Sequence, residues 1–191
     1  MLSVTNTTRR EHDADQTSAR QGPFQQGELA VILVSGRHTF TGSLVLGGQR
    51  VLDVLNDRSS AFLRVNKTTV SRSGQTEAFG ELQEAVVAKS SVDCLLIENE
   101  VHEAPVRRRH SLVNKHPFAT FVLLPDYEIC GMTMWAVRPD ALGLLAPDAP
   151  GFFPISPATL WGSSLGEHRA SPAAFVNKAS VSMISIGKQK R

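Results

Sequence analysis

"LAVILVSGRHTFTGSLVLGG", residues 29–48, and "FATFVLLPDYEICGMTMWAV", residues 118–137, share one arrangement of apolar residues, turn and glycine. In each stretch an apolar run of strand length leads through a turn into an alternating segment, which contains Gly42 in the first stretch and Gly131 in the second. Apolar and alternating runs bounded by turn residues predict β-strands. The two glycines lie 89 residues apart, and the sequence therefore predicts an internal duplication.

The similarity continues downstream with a drift of one residue. Residues 86–97, "VVAKSSVDCLLI", are answered by residues 175–186, "FVNKASVSMISI". Between these blocks, one inserted residue in the second copy aligns the apolar positions of a short helix and of the strand after it. Residues of this kind serve packing and turns, and they form the predicted repeat signature: Gly42, Leu52, Leu55, Phe62, Gly131, Leu142, Leu145 and Phe152.

Each copy reads as strand, turn, strand, short helix, short strand, loop and hairpin. Low helical content and short strands favour a mainly β fold, and we expect two tandem small antiparallel β-barrels or rolls of SH3-like or Sm-like type, each with one short helix. A glycine inside a strand marks a bulge or sharp bend. The predicted organisation is an N-terminal arm, a first repeat, a basic linker, a second repeat and a basic tail, at residues 1–27, 28–102, 103–117, 118–187 and 188–191.

The first copy resembles a small uncharacterised bacterial β-domain family with the pattern R-L-x-D-x-L-N, a gap, and F-L. The matching residues are 50–56, "RVLDVLN", and Phe62-Leu63. This resemblance implies a β-domain and transfers no catalytic residue, since the family carries no established activity. The run "VILVSGRHTFTGSLVL" is also similar to Sm-like barrels. The Asp and Asn of the RNA-binding Sm pattern have no counterparts here, so that likeness implies a barrel rather than RNA binding.

Composition indicates an ordinary soluble protein. The chain has 191 residues, 41% of them hydrophobic, and a formal net charge of +2, which is too small to indicate nucleic-acid binding. Cys94 and Cys130 form no CxxC pair, so a reducing compartment is expected. The polar N-terminus is unlike a secretory signal, and no apolar run reaches the length of a membrane span. We therefore expect a cytoplasmic location.

The sequence shows no constellation of residues that would carry chemistry. The six histidines lack metal-ligand spacing, and neither a GxSxG elbow nor a phosphate-binding glycine loop is present. The two copies share packing residues and differ in their polar ones, so no active site is duplicated. We therefore expect no enzyme activity, no catalytic residues, no cofactor and no metal site.

Two groups of residues could bind partners. Arg107, Arg108 and Arg109, with Lys115 nearby, form the one concentrated basic patch, which is either an anion- or partner-binding surface or a solvated linker. Trp135, Trp161, Met132 and Met134 occur only in the second copy, where large apolar residues fill a core or anchor an interface.

The expected function is a non-enzymatic structural or adaptor subunit of a larger bacterial assembly. Duplicated small domains, a long polar arm and the missing catalytic constellation support this expectation. Protein partners or self-association would then be required. The alternative is a regulator that binds nucleic acid or a nucleotide through the arginine-rich linker.

Overall fold

The fold is taken from a computed structural model that describes residues 27–72, 78–99, 114–137, 139–162 and 168–187. Residues 1–26 of the N-terminal arm, most of the basic linker and the C-terminal tail lie outside these residues. Within them, the first repeat segment forms five strands and one helix. They are β1 (Glu28–Ser35), β2 (His38–Val45), α1 (Val51–Asn56), β3 (Phe62–Arg72), β4 (Ala78–Ala88) and β5 (Cys94–Ile97), with a 3₁₀ turn at Lys89–Ser91 before β5.

The second repeat segment follows the same order, with the long strands split in two. Its elements are β6 (His116–Leu123), β7 (Tyr127–Trp135), α2 (Ala141–Leu145), β8 (Phe152–Ile155), β9 (Ala158–Gly162), β10 (Arg169–Ser171), β11 (Ala174–Asn177) and β12 (Met183–Gly187), with a 3₁₀ turn at Lys178–Ser180. Thus β8 and β9 correspond to β3, and β10 and β11 correspond to β4. The split of the first pair contains Pro157, which has no backbone N–H to donate to a ladder.

The strands form two antiparallel sheets. One has seven strands in the order β4-β3-β2-β1-β5-β11-β8, and the other has five in the order β10-β9-β7-β6-β12. The larger sheet therefore contains strands of both repeat segments, joined where β5 pairs with β11. This architecture confirms the mainly β fold that the sequence predicts.

Neither sheet closes into a barrel among the described residues. Closure of the first repeat would require β5 to return to β4. Instead, β5 uses one edge for β1 and the other for β11. Because a strand has only two hydrogen-bonding edges, this pairing extends the sheet into the second repeat.

The two strand glycines allow close approach of backbone. At Gly42 the β2–β3 ladder shifts register between Thr41 and Ser43, as a bulge does. An added Cβ there would lie 2.7 Å from the carbonyl oxygen of Asn66. At Gly131 a Cβ would overlap the carbonyl oxygen of Pro157. Any larger side chain at either glycine would force backbone apart.

Two apolar cores hold the fold together, and each is completed by residues of the other repeat segment. The first-repeat core includes Leu55, Leu63 and Leu95, but also Phe152 and Phe175 from the second repeat. The second-repeat core is built around β7 and β9, and includes side chains of β1 and β5, namely Ile32, Val34, Cys94 and Leu96. The repeats therefore share their cores.

The backbone of the two helices repeats at an offset of 90 residues. The N-cap residues are Arg50 and Asp140. The Val54 N–H donates to the Arg50 carbonyl and the Leu144 N–H donates to the Asp140 carbonyl, each at 3.0 Å. Burial follows this backbone match only in part: Leu55 and Leu144 are buried, Leu145 is partly buried against the second core, and Leu142 is exposed.

Candidate functional site: the outer sheet edges

The junction between the repeats shows how this fold joins one unit to another. Residues 94–96 of β5 lie opposite residues 174–176 of β11 in antiparallel register, with Leu95 opposite Phe175. The Ile97 N–H donates to the Ala173 carbonyl at 3.1 Å, and the Asn177 N–H donates to the Asp93 carbonyl at 2.9 Å. Backbone pairing and shared cores therefore act together at this junction.

Polar side chains add to the junction. Asn56 of α1 forms two bonds with the backbone of Phe152: its amide nitrogen donates to the carbonyl at 3.0 Å, and its amide oxygen accepts from the N–H at 2.8 Å. The buried Asn177 amide donates to the Val92 carbonyl at 2.9 Å, and Arg169 pairs with Glu98 at 2.7 Å. Each of these bonds joins one particular group of the first repeat to one particular group of the second, so together they define the register of the two repeats.

A lysine occupies the same place in each repeat. The Lys89 ammonium donates to the carbonyl of Val54, in the last turn of α1, at 2.6 Å and to that of Asp57, just after α1, at 2.8 Å. Lys178 does the same after α2, reaching the carbonyls of Ala146 and Ala149, each at 2.6 Å. Both therefore satisfy carbonyls at helix C-termini. Burial lowers the pKa of Lys89, and the nearby Asp57 carboxylate opposes this effect.

These lysines line a groove of about 260 Å³ between the two helix ends. The alignment of the two copies matches these lysines but does not predict a role for them. The signal in the sequence was that a lysine is retained in both copies just before an apolar strand. Because their ammonium groups donate to backbone carbonyls, these two lysines have a structural role.

One outer edge of the seven-stranded sheet is β4, and no described strand covers it. Four large apolar side chains on β3 and β4 are exposed there: Phe62, Phe79, Leu82 and Val86. The Lys89 N–H donates to the Ala61 carbonyl at 2.9 Å, in line with the β3–β4 register. In an antiparallel ladder the residues alternate between the two edges, so the N–H and C=O of Val86 point away from β3.

An outer edge of the five-stranded sheet is β12, which pairs with β6 and with no other strand in the described part of the chain. Met183 is exposed, and Ile184 is partly buried against the second core. Phe121 and Leu123 of β6, opposite Ser185 and Met183, are partly buried. This edge thus presents apolar side chains as β4 does.

A second groove, of about 550 Å³, is open to solvent and lies beside Tyr127 and Trp161. Tyr127 is buried, and its hydroxyl donates to the Gly36 carbonyl of the first repeat at 3.1 Å. Cys130 also lines the groove. Burial raises the pKa of its thiol and that of Cys94, so neither cysteine is activated as a nucleophile.

The residues predicted from sequence to bind partners do not form one site. Arg107, Arg108 and Arg109 lie outside the described residues, and Lys115 is exposed. In the second repeat, Trp135 packs against the core, Met132 is partly buried, and Met134 and Trp161 are exposed. The residues on the β4 edge other than Phe62 were missed, because alternating apolar residues look the same on a buried and on an edge strand.

The described residues contain no group of three or more His, Cys, Asp or Glu side chains placed to hold a metal ion. No helix in the same part of the chain is both long and apolar enough to cross a membrane. Comparison with known proteins gives no family assignment: no family model, curated protein or solved structure shows significant similarity to the chain.

Proposed function

We propose that the protein is a non-enzymatic structural or adaptor subunit of a larger bacterial, cytoplasmic assembly, and that it binds protein chains through the β4 edge. The observation that carries this proposal is the exposure of Phe62, Phe79, Leu82 and Val86 around one uncovered edge of the described structure. Soluble proteins normally protect such edges with charges, proline or a covering element. An edge that combines outward backbone groups with apolar side chains is suited to strand addition by another chain.

In this proposal the repeats are the small bent antiparallel units expected from the sequence, used side by side. The bulge at Gly42 and the split at Pro157 bend the strands in the way that such units require. The salt bridge of Arg64 with Glu84, at 3.3 Å, lies beside the β4 edge. An exposed pair of this kind contributes little stability, and it leaves the apolar residues as the main source of affinity.

Photo-crosslinking in the native host tests the proposal. A photoreactive phenylalanine at position 79, which is exposed on β4, is expected to form a covalent adduct with a protein chain identified by mass spectrometry. The same residue at position 59 is the matched control, because Ser59 is exposed in a turn that bonds to Asp57. Absence of protein adducts from position 79, or equal adducts from both positions, would contradict the proposal.

A further inference from the structure

Each position at the internal junction has a counterpart in the other repeat, at the outer sheet edges formed by β4 and β12. At the junction, Phe152 and Phe175 of the second repeat are 4% and 9% exposed, and Cys94 of the first is 0% exposed. The counterparts of these residues are Phe62, Val86 and Met183, which are 56%, 63% and 46% exposed. The positions that are buried at the junction therefore carry apolar side chains at the β4 and β12 edges too, but there these side chains are exposed.

The backbone groups follow the same rule. At the junction the residues at 93, 95 and 97 of the first repeat face those at 177, 175 and 173 of the second, as the bonds of Ile97 and Asn177 show. An offset of 89 carries Phe175 to Val86 and Leu95 to Ile184. Val86 points its N–H and C=O away from β3. Ile184 is the counterpart of Leu95, whose N–H and C=O face β11, so we expect those of Ile184 to face away from β6. The β4 edge thus presents the backbone groups that β11 uses at the junction, and the β12 edge presents those that β5 uses.

The cores lead to the same pairing. Phe152 and Phe175 complete the first-repeat core beside Leu95. The second-repeat core contains Ile184, the counterpart of Leu95, in a partly buried position. The side chains that would complete that core in the same way are Phe62 and Val86, which lie at the β4 edge of the other sheet. They can reach it only from a second copy.

We infer that copies of this chain associate head to tail, with β12 of one copy pairing antiparallel to β4 of the next. The expected register places Val86 opposite Ile184, Val87 opposite Met183 and Ala85 opposite Ser185. This inference rests on the proposed function and names its partner as a second copy. The interface joins two different surfaces, so repetition generates either a ring or an open chain of copies.

The residues that form polar side-chain bonds at the internal junction have no polar counterparts at the β4 and β12 edges. By the same offset, Ala88 replaces Asn177, Gly187 replaces Glu98 and Gly80 replaces Arg169. The contact between copies therefore depends on backbone pairing and apolar burial alone. We expect it to be weaker than the internal junction and to dissociate on dilution.

Proline at Val86 tests the pairing without disturbing the fold. Because the Val86 N–H faces outward, Val86→Pro removes a donor from the edge and no bond from the β3–β4 ladder. Val86→Thr is the matched control, since it keeps the donor and a β-branched side chain. Light scattering coupled to size exclusion is expected to show multiples of 20.8 kDa for the unaltered chain and for Val86→Thr at high concentration, and a monomer for Val86→Pro. Urea unfolding at low concentration checks that Val86→Pro is folded.

The register is tested with single cysteines in a Cys130→Ala background, where the remaining Cys94 is buried. A short thiol crosslinker is expected to join Val86→Cys to Ile184→Cys in a mixture of the two variants. Leu82→Cys with Ile184→Cys, four residues out of register on β4, is expected to react at least tenfold less.

Three results would overturn the inference: a monomer at every concentration, an oligomer unaffected by Val86→Pro, or preferential crosslinking at position 82. The first result leaves the proposed function standing if position 79 still forms adducts with a different protein. If position 79 forms no adducts at all, both proposals fail.

Discussion

Phe152 and Phe62 are the same residue at the same place in the two repeats, and only their surroundings differ. Phe152 is 4% exposed in the first-repeat core, whereas Phe62 is exposed on the outer edge. Phe152→Ala removes packing alone, because the bonds to Asn56 use the backbone of residue 152. Truncation of a buried phenylalanine costs about 3–5 kcal/mol, and we expect a loss in that range.

For a chain of this size each kcal/mol corresponds to about 2–4 °C in Tm, so Phe152→Ala is expected to lower Tm by about 6–20 °C. The matched Phe62→Ala is expected to change the free energy of unfolding by no more than about 0.5 kcal/mol when the protein is dilute. Urea titration, with the slope m checked for constancy, measures both. Similar losses for the two variants would refute the assignment of Phe152 to the shared core and of Phe62 to a free surface.

Three further predictions concern individual side chains. Gly131→Ala is expected to cost at least about 1–3 kcal/mol by overpacking against the Pro157 carbonyl, whereas Gly187→Ala, which has open space, is the control with no measurable loss by urea unfolding; equal losses would contradict the packing argument. Lys89→Met is expected to cost about 1–3 kcal/mol, since it leaves carbonyls unsatisfied. Burial lowers the pKa of Lys89 from its ordinary value of 10.5, so just below pH 10.5 the unfolded chain binds more protons at this residue than the folded chain does. The contribution of Lys89 to the free energy of unfolding therefore rises with pH in that range. Lys89→Met should lack this rise, and the same pH profile in both proteins would contradict the argument. Cys94 is expected to resist thiol reagents until urea unfolds the protein, because burial raises the pKa of its thiol, and rapid labelling in the native state would contradict its burial.

Much of the local structure could be predicted from the sequence. The alternation in residues 38–45 and the glycines at 42 and 131 were sufficient to locate the strands β2 and β7 and the bulge in β2. The lysines at 89 and 178 were aligned correctly, but their role was not evident. Their partners are carbonyls more than 25 residues away in the chain, and no sequence pattern identifies a carbonyl.

The order of strands was not predictable in the same way. Every strand carries the same N–H and C=O groups on both edges, so sequence does not indicate that β5 would pair with β11. That choice kept the sheets from closing in the described residues. It also decided that Phe152 is buried while Phe62 is exposed.

The sequence by itself determined that this protein is mainly β and built from two similar segments, because side-chain alternation and turn residues act over a few neighbours. Only the tertiary structure decided which segment ends are covered and which remain open. Whether an edge is covered depends on where a strand distant in the sequence lies. In this protein β5 is covered by β11, whereas their counterparts in the other repeat, β12 and β4, remain as uncovered sheet edges in the described residues.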